Sequence, residues 1–248
     1  MRLVKWEKLP CEMQTEEVKK YYDILKKKKF GLFFKRMFDI FVSFVMLLIL
    51  SPIFLILAIA IKVDSRGPVF YRQLRVTQYG KRFRIFKFRT MVQNADKGSQ
   101  VTVNNDSRIT RVGKLIRKCR LDEISQLIDV LRGTMTFVGT RPEAVKYVEH
   151  YTPEMMATLL LPAGITSEAS IRYKDEDTLL DGAEDTDKVY IEQVLPEKMK
   201  INLWSIKKFN FWFDIGTMFR TVFAVLGKNY PKDVEKNEKS AKEGVKKP

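Results

Sequence analysis

The longest apolar segment of the sequence is an uncharged run of 22 residues from Ile40 to Ile61. As a helix with a rise of 1.5 Å per residue it is about 33 Å long, which is enough to cross a bilayer. Ser51-Pro52 interrupts the run near its middle, where a proline removes a backbone hydrogen bond and kinks the helix. The Ser51 side chain can satisfy a backbone group that Pro52 leaves free. The pattern therefore predicts a membrane-embedded helix with a break at Ser51-Pro52.

Basic residues flank this run on both sides. Six Lys or Arg lie between Lys26 and Arg36 and nine between Lys62 and Arg89, with Asp64 as the only acid in those two windows. Because positive charge marks the cytoplasmic end of a membrane segment, two basic ends favour a re-entrant helix that returns to the face it entered. A kinked helix that crosses the membrane once stays open as the alternative.

Periodicity beyond the apolar run predicts a small mixed domain. After the turn-forming cluster at 64–68, alternating residues predict strands at Val69–Arg75 and Lys81–Phe88, joined by a turn at Gln78–Gly80. A short strand is predicted at Met135–Val138. It follows an amphipathic helix that Gly133 ends, whose apolar face is Ile124, Leu127, Ile128 and Leu131. The sequence therefore predicts an α-rich α/β fold with a small sheet.

Helices are also predicted towards both ends of the chain. Thr15 is a plain N-cap for a helix that extends to Lys29. Near the C-terminus, aromatic residues between 204 and 223 are interleaved with lysines and Arg220, which is typical of an amphipathic helix in the lipid headgroup region. A helix packed into the protein core explains this pattern equally well. From residue 228 onward the chain is rich in Lys and Glu, and a disordered tail is expected.

Composition limits the chemistry. The net charge of +15 and the pI near 9.7 indicate a polyanionic partner such as nucleic acid, anionic lipid or a phosphorylated substrate. The two cysteines have no metal-binding spacing, and the single histidine, His150, excludes a histidine-rich metal site. No Walker loop or dinucleotide-binding glycine motif occurs. Chemistry in this chain must therefore come from carboxylates, lysines and arginines.

One cluster of charged residues meets that requirement. Asp122 and Glu123 open the amphipathic helix, and Arg117, Lys118 and Arg120 precede them. A structural interpretation makes Asp122 an N-cap and Glu123 a first-turn acid. A functional one makes the helix N-terminus and its cations an anion site, in which the cations lower the pKa of Asp122 and prepare it to attack phosphorus. Glu123 is then a candidate ligand for Mg²⁺.

Several short motifs occur in a fixed order between residues 35 and 143. They are Lys35-Arg36 with Asp39, Ser51-Pro52, Gly67-Pro68-Val69-Phe70, Lys87-Phe88-Arg89-Thr90-Met91, Arg108-Ile109-Thr110-Arg111, Leu121-Asp122-Glu123-Ile124-Ser125-Gln126-Leu127 and Val138-Gly139-Thr140-Arg141-Pro142-Glu143. Each motif is weak alone, but the ordered set resembles the bacterial sugar transferases, the monotopic phosphoglycosyl transferases. The resemblance is dense over a little under half of the chain and weaker up to about Arg220.

The resemblance implies a membrane enzyme. Such enzymes move a sugar-1-phosphate from a UDP-sugar to a polyprenyl phosphate at the cytoplasmic membrane face and release UMP. The first residue of the acid pair, Asp122 here, is the expected nucleophile, which forms an aspartyl-phosphosugar intermediate. The second, Glu123 here, is expected to bind the cofactor Mg²⁺. In these enzymes the Ser-Pro position breaks the membrane helix, in agreement with the re-entrant prediction.

Basic positions in the motifs are expected to contact phosphates or uridine. These substrate-binding candidates are Lys87, Arg89, Arg117 and Arg141, with Arg111 and Arg172 in addition. The chain departs from the family at Thr140, where many relatives have proline, and this predicts a looser turn before Arg141. It departs again at Ser167-Glu168, where relatives have Gly-Trp, so the identity of the sugar stays open.

The resemblance also implies an organisation and a location. We expect a polar extension at 1–30, a re-entrant membrane helix at 31–66, a cytoplasmic catalytic domain with interfacial helices at 67–227, and the tail at 228–248. Seven acids between 175 and 187 indicate an exposed loop in the catalytic domain. The expected location is the cytoplasmic face of a bacterial inner membrane, in contact with anionic lipid. Whether the chain forms a homodimer is not decided by the sequence.

Two other functions stay open at this point. A catalytically inactive membrane scaffold that binds anionic lipid or a partner protein would need Asp122 and Glu123 only for stability. A nucleic-acid-binding protein would explain the basic and aromatic segment at 81–89, but it leaves the apolar run without a purpose. No nucleic-acid partner is therefore expected.

Overall fold

The computed structural model of the protein describes residue 1 and residues 3–93, 108–173 and 185–226. Within them the α-helices are α1 (Glu16–Lys27), α2 (Lys29–Asp64), α3 (Arg111–Lys118), α4 (Leu127–Arg132), α5 (Val145–Val148), α6 (Glu168–Arg172), α7 (Thr186–Val189), α8 (Leu195–Lys208) and α9 (Phe211–Val225). The strands are β1 (Phe70–Val76), β2 (Arg82–Phe88), β3 (Met135–Val138) and β4 (Ala163–Thr166). The predicted α-rich α/β fold is confirmed. The predicted tail and most of the acidic run at 175–187 lie outside the described residues.

Short tight turns connect these elements. The 3₁₀ turns are Trp6–Lys8, Cys11–Met13, Gln78–Gly80, Leu121–Gln126 and Met155–Leu160, and a π-helical turn, Tyr190–Val194, leads from α7 into α8. The predicted helix over 124–131 is thus divided into a 3₁₀ turn and α4. Gly133 ends it as predicted, because its φ of 87° is a left-handed conformation that glycine adopts without strain.

The apolar run lies in α2, a helix of 36 residues. Among the described residues it is the one helix long and apolar enough to cross a membrane, and only 11% of its most apolar stretch is buried. The helix continues through Ser51-Pro52, so the predicted division into two helices does not appear as an interruption of secondary structure. Ser51 Oγ donates to the carbonyl oxygen of Leu48 at 2.7 Å. In a regular helix that oxygen would accept from the N–H that Pro52 lacks, so the predicted role of Ser51 is confirmed.

Charged residues fasten the N-terminal arm of α2 to the domain. Lys35 is buried, and its Nζ donates to a β3 carbonyl at 2.8 Å and to Asp214 Oδ2 of α9 at 2.5 Å. Asp39 is 1% exposed and accepts from the Thr136 hydroxyl at 2.7 Å. Arg36 donates to two carbonyls of α4. The first of the sequence motifs therefore holds α2 in place on the domain.

The C-terminal arm of α2 packs on the same domain through apolar contacts. Leu57 and Ile61 are buried against Phe88 of β2 and Ile116 of α3. No residue from 44 to 56 is buried. Both ends of α2 are therefore attached to one domain, and between them Leu47, Leu50 and Phe54 are partly buried against its apolar clusters while most other side chains of this stretch are exposed.

The first sheet is the predicted hairpin of β1 and β2, and each strand lies within one residue of its predicted bounds. The strands are antiparallel, with Tyr71 opposite Lys87. Because side chains alternate across a strand, Tyr71, Gln73 and Arg75 share one face of the hairpin with Lys87. The turn between the strands contains Tyr79 in a left-handed conformation, with φ of 58°.

The second sheet pairs β3 and β4 in parallel, and the loop after β3 leads to Arg141. A Cβ atom on Gly164 would lie 2.2 Å from the Gly139 carbonyl oxygen, so this close approach requires glycine. Gly139 N donates to the Thr166 carbonyl at 3.0 Å, and Gly164 N donates to the Thr140 carbonyl at 2.8 Å. The backbone of this turn is hydrogen-bonded to β4, and the prediction that it is looser than the proline-containing turn of relatives stays a prediction.

The N-terminal segment is packed into the core. Thr15 is the N-cap of α1 as predicted, and its side chain accepts from Val18 N. One face of α1 is buried against α8 and the 3₁₀ turn Met155–Leu160, and that face consists of Val18, Tyr21, Tyr22 and Leu25. The segment expected as a polar extension therefore contributes apolar side chains to the domain.

The aromatic C-terminal segment forms two helices, with Asn210 as the N-cap of the second. α8 buries Leu203 and Ile206, as the core-packed interpretation requires. α9 leaves Trp212 and Phe219 exposed to 78% and 63%, as the lipid-facing interpretation requires. The core-packed interpretation is therefore confirmed for α8, and for α9 the interpretation of a helix in the headgroup region stays a prediction that its exposed aromatic residues fit.

The buried pair of Lys35 and Asp214 generates a stability prediction. We expect Lys35→Met to lower the free energy of unfolding by about 3–5 kcal/mol, because Asp214 keeps a buried charge without its partner. The double variant Lys35→Met/Asp214→Leu should recover most of that loss, since both charges are removed. Urea unfolding in detergent micelles, followed by circular dichroism, measures both variants.

The matched control is Lys62→Met, which removes an exposed lysine from the same helix. It should change the free energy of unfolding by no more than about 0.5 kcal/mol. A Lys35→Met protein as stable as the control would show that the pair does not hold α2 to the domain.

Candidate active site

Asp122 and Glu123 lie in the 3₁₀ turn Leu121–Gln126, directly before α4. The preceding Arg120 has a left-handed φ of 52°, which few residues other than glycine adopt, and it redirects the chain after α3. Arg120 occupies the N-cap position, and no side chain caps the turn. The interpretation of Asp122 as an N-cap is therefore wrong.

Glu123 binds two cations that come from different parts of the fold. Lys87 Nζ of β2 lies 3.1 Å from Glu123 Oε1. Arg141, from the turn after β3, donates to both carboxylate oxygens, with NH1 at 3.2 Å from Oε2 and NH2 on Oε1. The Glu123 side chain is 19% exposed. This ion pair brings the hairpin, the 3₁₀ turn and the β3–β4 turn to one place.

The pKa values of the two acids move in opposite directions. Burial raises the pKa of Asp122 above its ordinary value, although Lys87 and Arg117 oppose the shift. Burial also acts on Glu123, but Arg141 and Lys87 outweigh it and hold the pKa of Glu123 well below its usual range. The prediction that nearby cations lower the pKa of Asp122 is wrong in its net direction. The cations lower the pKa of its neighbour instead.

These shifts give the two carboxylates different chemistry. Glu123 is a fixed anion that positions Lys87 and Arg141, and its ion pair raises the pKa of Arg141 in return. Asp122 is the more basic carboxylate, and Lys87 and Arg117 are near enough to act on its charge. Pairs of acids whose surroundings separate their pKa values are typical of sites with two distinct roles.

Arg89 lies elsewhere, at the end of α2. It is 6% exposed and donates to the carbonyls of Ile61, Ser65 and Arg66, with a further bond to the Ser65 hydroxyl. A Cβ atom on Gly67 would lie 2.0 Å from Arg89 NH1, so that glycine makes room for the guanidinium. The structure gives Arg89 the contacts of a helix C-cap in place of the predicted substrate contact.

Arg111 and Arg172 are also outside the Glu123 cluster. Arg111 is the exposed first residue of α3 and lines a separate cavity of about 950 Å³ beside the C-terminal arm of α2. Arg172 is the exposed last residue of α6. Of the predicted binding residues, the structure therefore brings Lys87 and Arg141 onto Glu123 and Arg117 close to Asp122.

A cavity of about 780 Å³ opens beside Glu123. Its charged end is formed by Glu123, Arg141 and Arg120. Its apolar walls come from two helices, with Phe38 and Met46 on α2 and Ile215, Met218, Phe219, Val222 and Val225 on α9. Hydroxyl groups of Thr166, Ser170 and Thr221 also line it. The cavity suits a ligand with a charged head and a long apolar tail.

Sequence reasoning named Arg120 only as one of the cations before the acid pair, and it gave these wall residues no part in a site. They come from α2, the 3₁₀ turn, β4, α6 and α9, and no spacing in the sequence connects them. The exposed aromatic positions of α9 were the one available signal, since a surface helix that keeps large apolar residues marks a contact surface.

The two carboxylates fit only one mode of magnesium binding. The described part of the chain contains no group of three metal-ligating side chains, so it offers no closed protein cage. Mg²⁺ commonly binds through one or two carboxylates and completes its shell with substrate phosphates and water. Asp122 and Glu123 suit that mode, with Glu123 as the predicted ligand. The donor set therefore fits a Mg²⁺ ion that is shared with a phosphorylated substrate.

Comparison with known proteins agrees with this geometry. The protein-family model described as bacterial sugar transferase matches residues 30–228. The chain belongs to this family. Both acids of the candidate site, their cations and the whole of the lined cavity fall inside the matched range, whereas α1 precedes it. In this bacterial sugar transferase the candidate site lies beside two helices, α2 and α9, that supply apolar walls. A proposed function must account for those walls as well as for the charged residues.

Curated relatives share a core region with this sugar transferase. A UDP-glucose:undecaprenyl-phosphate glucose-1-phosphate transferase of Klebsiella pneumoniae is 38% identical over 196 residues, which are 77% of this chain and 39% of the relative. A UDP-N-acetylgalactosamine-undecaprenyl-phosphate N-acetylgalactosaminephosphotransferase of Aeromonas hydrophila is 35% identical over 198 residues, 78% of this chain and 44% of the relative. An exopolysaccharide production protein of Rhizobium leguminosarum bv. phaseoli is 40% identical over 146 residues, 56% of this chain and 73% of that protein. The chain thus spans well under half the length of the first two relatives.

The depressed pKa of Glu123 generates a pH prediction. A carboxylate of this kind contributes stability above its unfolded pKa of about 4.3 and loses that contribution as the pH falls below it. The free energy of unfolding of the unmodified protein should therefore fall more steeply from about pH 5 to about pH 3 than that of Glu123→Gln. Urea unfolding at each pH measures the two slopes.

The matched control for this experiment is Glu149→Gln, at an exposed glutamate. It should keep the steep slope of the unmodified protein. Equal slopes in the unmodified protein and in Glu123→Gln would show that Lys87 and Arg141 do not hold Glu123 ionised.

Proposed function

We propose that this protein moves a sugar-1-phosphate from a UDP-sugar to polyprenyl phosphate, in bacteria undecaprenyl phosphate, and releases UMP. The Klebsiella and Aeromonas relatives are named as enzymes that transfer a sugar phosphate from a UDP-sugar to undecaprenyl phosphate. The observation that carries the proposal is the acid pair with opposite pKa shifts, in which Glu123 lines the charged end of an amphipathic cavity and Asp122 is the adjacent residue of the same turn. The product would begin the assembly of a glycan such as a capsule, O-antigen, exopolysaccharide or glycoprotein glycan.

In the first step a carboxylate oxygen of Asp122 attacks the β-phosphorus of the UDP-sugar. A new oxygen–phosphorus bond forms, the bond from that phosphorus to the bridging oxygen breaks, and UMP leaves with the electron pair. The result is an acyl phosphate on Asp122 that holds the sugar. Because burial disfavours the charged form of Asp122, its carboxylate is a stronger nucleophile than a fully hydrated aspartate.

In the second step a phosphate oxygen of the polyprenyl phosphate attacks the same phosphorus. The bond to Asp122 breaks, the carboxylate is regenerated, and the product is a polyprenyl diphosphate sugar. The two substrates therefore react in turn with one carboxylate, which is a ping-pong course. The released nucleotide is UMP and not UDP, because the bond that breaks in the first step joins the β-phosphorus to the bridging oxygen.

The cations around the acid pair support this chemistry electrostatically. Glu123 holds Lys87 and Arg141 in place before substrate arrives, so their positive charge needs no reorganisation during the reaction. Arg117 adds a cation on the side of Asp122. Mg²⁺, when bound through Glu123, would neutralise diphosphate charge and stabilise the leaving UMP. Phosphate and nucleotide binding is thus assigned to Lys87, Arg117 and Arg141.

The lined cavity is the proposed site of the lipid acceptor. Its apolar walls on α2 and α9 suit a polyprenyl chain, and its charged end places the phosphate next to Glu123 and Arg141. A volume of about 780 Å³ holds the head of such a lipid together with its first isoprene units. The rest of the chain would lie along the exposed apolar faces of the two helices, in the membrane.

The attachment of α2 supports a re-entrant topology. Lys35 and Asp39 fix one end of the helix to the same domain that packs against Leu57 and Ile61 at the other end. A helix held at both ends by one domain cannot place those ends on opposite sides of a membrane unless the domain also crosses it. We propose that α2 dips into the cytoplasmic leaflet, bends at Ser51-Pro52 and returns. The basic flanks then contact anionic headgroups on the cytoplasmic face.

The nucleophile is tested by Asp122→Asn. We expect UMP release to fall by at least about 10³-fold, because an amide cannot form the acyl phosphate. The assay is nucleotide release by purified protein in detergent with Mg²⁺, polyprenyl phosphate and a panel of UDP-sugars. Without the acceptor, the unmodified protein should release one UMP per active site in a burst, and the variant should show no burst.

Asp23→Asn is the matched control, because Asp23 is an exposed aspartate of α1 far along the chain from the site. It should keep the activity of the unmodified protein. Near-normal turnover by Asp122→Asn would refute the aspartyl intermediate. Release of UDP would indicate ordinary glycosyl transfer, and no release with the full panel would favour the scaffold function.

The topology is tested by cysteine labelling. In a background with Cys11 and Cys119 replaced by serine, we would place a single cysteine at Lys29 or at Lys62, two exposed lysines at opposite ends of α2. A membrane-impermeant maleimide should label both variants in inverted membrane vesicles and neither in intact spheroplasts. Labelling of the two positions from opposite faces would establish a single crossing and overturn the re-entrant proposal.

A further inference from the structure

One face of β1 lies between the two cations that bind Glu123. On one side of β1, Tyr71 is directly opposite Lys87 of β2. On the other side, Val76 N donates to the Glu143 carbonyl at 3.0 Å, which places the segment that contains Arg141 against the end of β1. The same-face residues Gln73 and Arg75 therefore lie between Lys87 and Arg141. The sequence motifs gave neither residue a role.

Gln73 holds Arg75 in a defined orientation. Its Oε1 accepts from Arg75 Nε at 3.2 Å and from Arg75 NH2 at 2.8 Å. This pair uses one edge of the guanidinium and leaves NH1 outside the contact. A neutral amide orients the arginine without neutralising it, so Arg75 keeps its full positive charge.

Arg75 has a like charge as a neighbour and no acid at ion-pair distance within the described residues. Arg141 is near enough to lower the pKa of Arg75, in addition to the larger effect of burial, while Glu143 opposes both. Glu143 already has partners of its own, because Lys198 Nζ lies at 3.4 Å and the Tyr190 hydroxyl donates to it at 2.7 Å. Two adjacent guanidinium groups of this kind are typical of a site for a phosphate anion.

We infer that Arg75 binds a phosphate group of the UDP-sugar, and that Gln73 is the residue that positions it. The inference rests on the proposed function, which it extends by a third phosphate-binding cation beside Lys87 and Arg141. The diphosphate lies across the face of β1, with its β-phosphorus towards Asp122 and its nucleotide end towards Arg75. The competing explanation is structural, with Arg75 needed only to support Glu143 and the strand.

The first experiment separates the donor from the acceptor. In a ping-pong reaction, kcat/KM for each substrate reports the half-reaction of that substrate. We expect Arg75→Gln to lower kcat/KM for the UDP-sugar by about 10- to 100-fold, because a charge-assisted bond to phosphate is lost. It should leave kcat/KM for polyprenyl phosphate within about twofold. Arg75→Lys keeps the charge but not the paired contact with Gln73. Its kcat/KM for the UDP-sugar should lie between that of the unmodified protein and that of Arg75→Gln.

Gln73→Leu tests the positioning role. It leaves Arg75 in the chain but removes its acceptor, and we expect a rise of about threefold to tenfold in KM for the UDP-sugar with kcat nearly unchanged. Equal losses towards donor and acceptor in Gln73→Leu or Arg75→Gln, together with lower stability in urea, would support the structural explanation and overturn the inference.

Arg72→Gln is the matched control from the same strand. Arg72 lies on the opposite face of β1, where it donates to the Arg84 carbonyl and stacks on Phe86 with 3.3 Å from its guanidinium carbon to the ring centroid. Its loss should affect stability and leave KM for the UDP-sugar unchanged. If Arg72→Gln lowered kcat/KM for the UDP-sugar as much as Arg75→Gln does, the effect would not be specific to Arg75 and the inference would be overturned.

A binding experiment distinguishes failure of this inference from failure of the proposed function. UDP binding to Asp122→Asn protein is measured by calorimetry with Mg²⁺, so no turnover is needed. We expect Arg75→Gln in that background to weaken UDP binding by about tenfold and to leave uridine binding unchanged. Unchanged UDP affinity would overturn the inference while the nucleotide site stands. No UDP binding by either protein would overturn both the inference and the proposed function.

Discussion

Glu123 forms ion pairs with Lys87 of the hairpin and with Arg141 of the turn after β3, and both ion pairs are largely shielded from solvent. A carboxylate in that position would be costly to bury alone, and two like cations would repel each other without it. The three groups therefore stabilise one another only as a set. Since they come from separate segments, the set also fixes how the hairpin, the 3₁₀ turn and the second sheet meet. Asp122 is positioned by the same turn.

The long helix α2 depends on that arrangement through a second group of buried charges. Lys35 reaches a carbonyl of β3 and Asp214 of α9, while Asp39 reaches Thr136 of β3. β3 therefore connects α2 to the turn that presents Arg141. The positions of α2 and of the acid pair are therefore coupled through a strand of four residues. In the proposed reaction between a nucleotide sugar and a lipid phosphate, this coupling would set where the two substrates can meet.

The sequence predicted the elements well where a local pattern decides them. Alternation gave the hairpin within one residue of its bounds, and Thr15 and Gly133 end their helices as expected. The pKa of Asp122 could not be predicted in the same way, because burial arises from segments distant in sequence, and it outweighs the cations that are adjacent in sequence.

Arg89 shows the same limit for a binding residue. Its motif position suggested a phosphate contact, but its guanidinium is used by carbonyls at the end of α2, which no spacing in the sequence links to it. The aromatic C-terminal segment admitted two interpretations because one periodicity covers two helices with different surroundings. Only the packing of the domain separates a buried apolar face from an exposed one.

The position of α1 has a consequence for how the chain is divided. The region shared with the family begins at residue 30, yet Val18, Tyr21 and Leu25 lie in the same apolar cluster as Leu203 and Ile206 of α8. Residues outside the shared region thus cover a surface that belongs to it. The stretch of sequence that is inherited in common and the stretch that folds as one unit therefore have different boundaries.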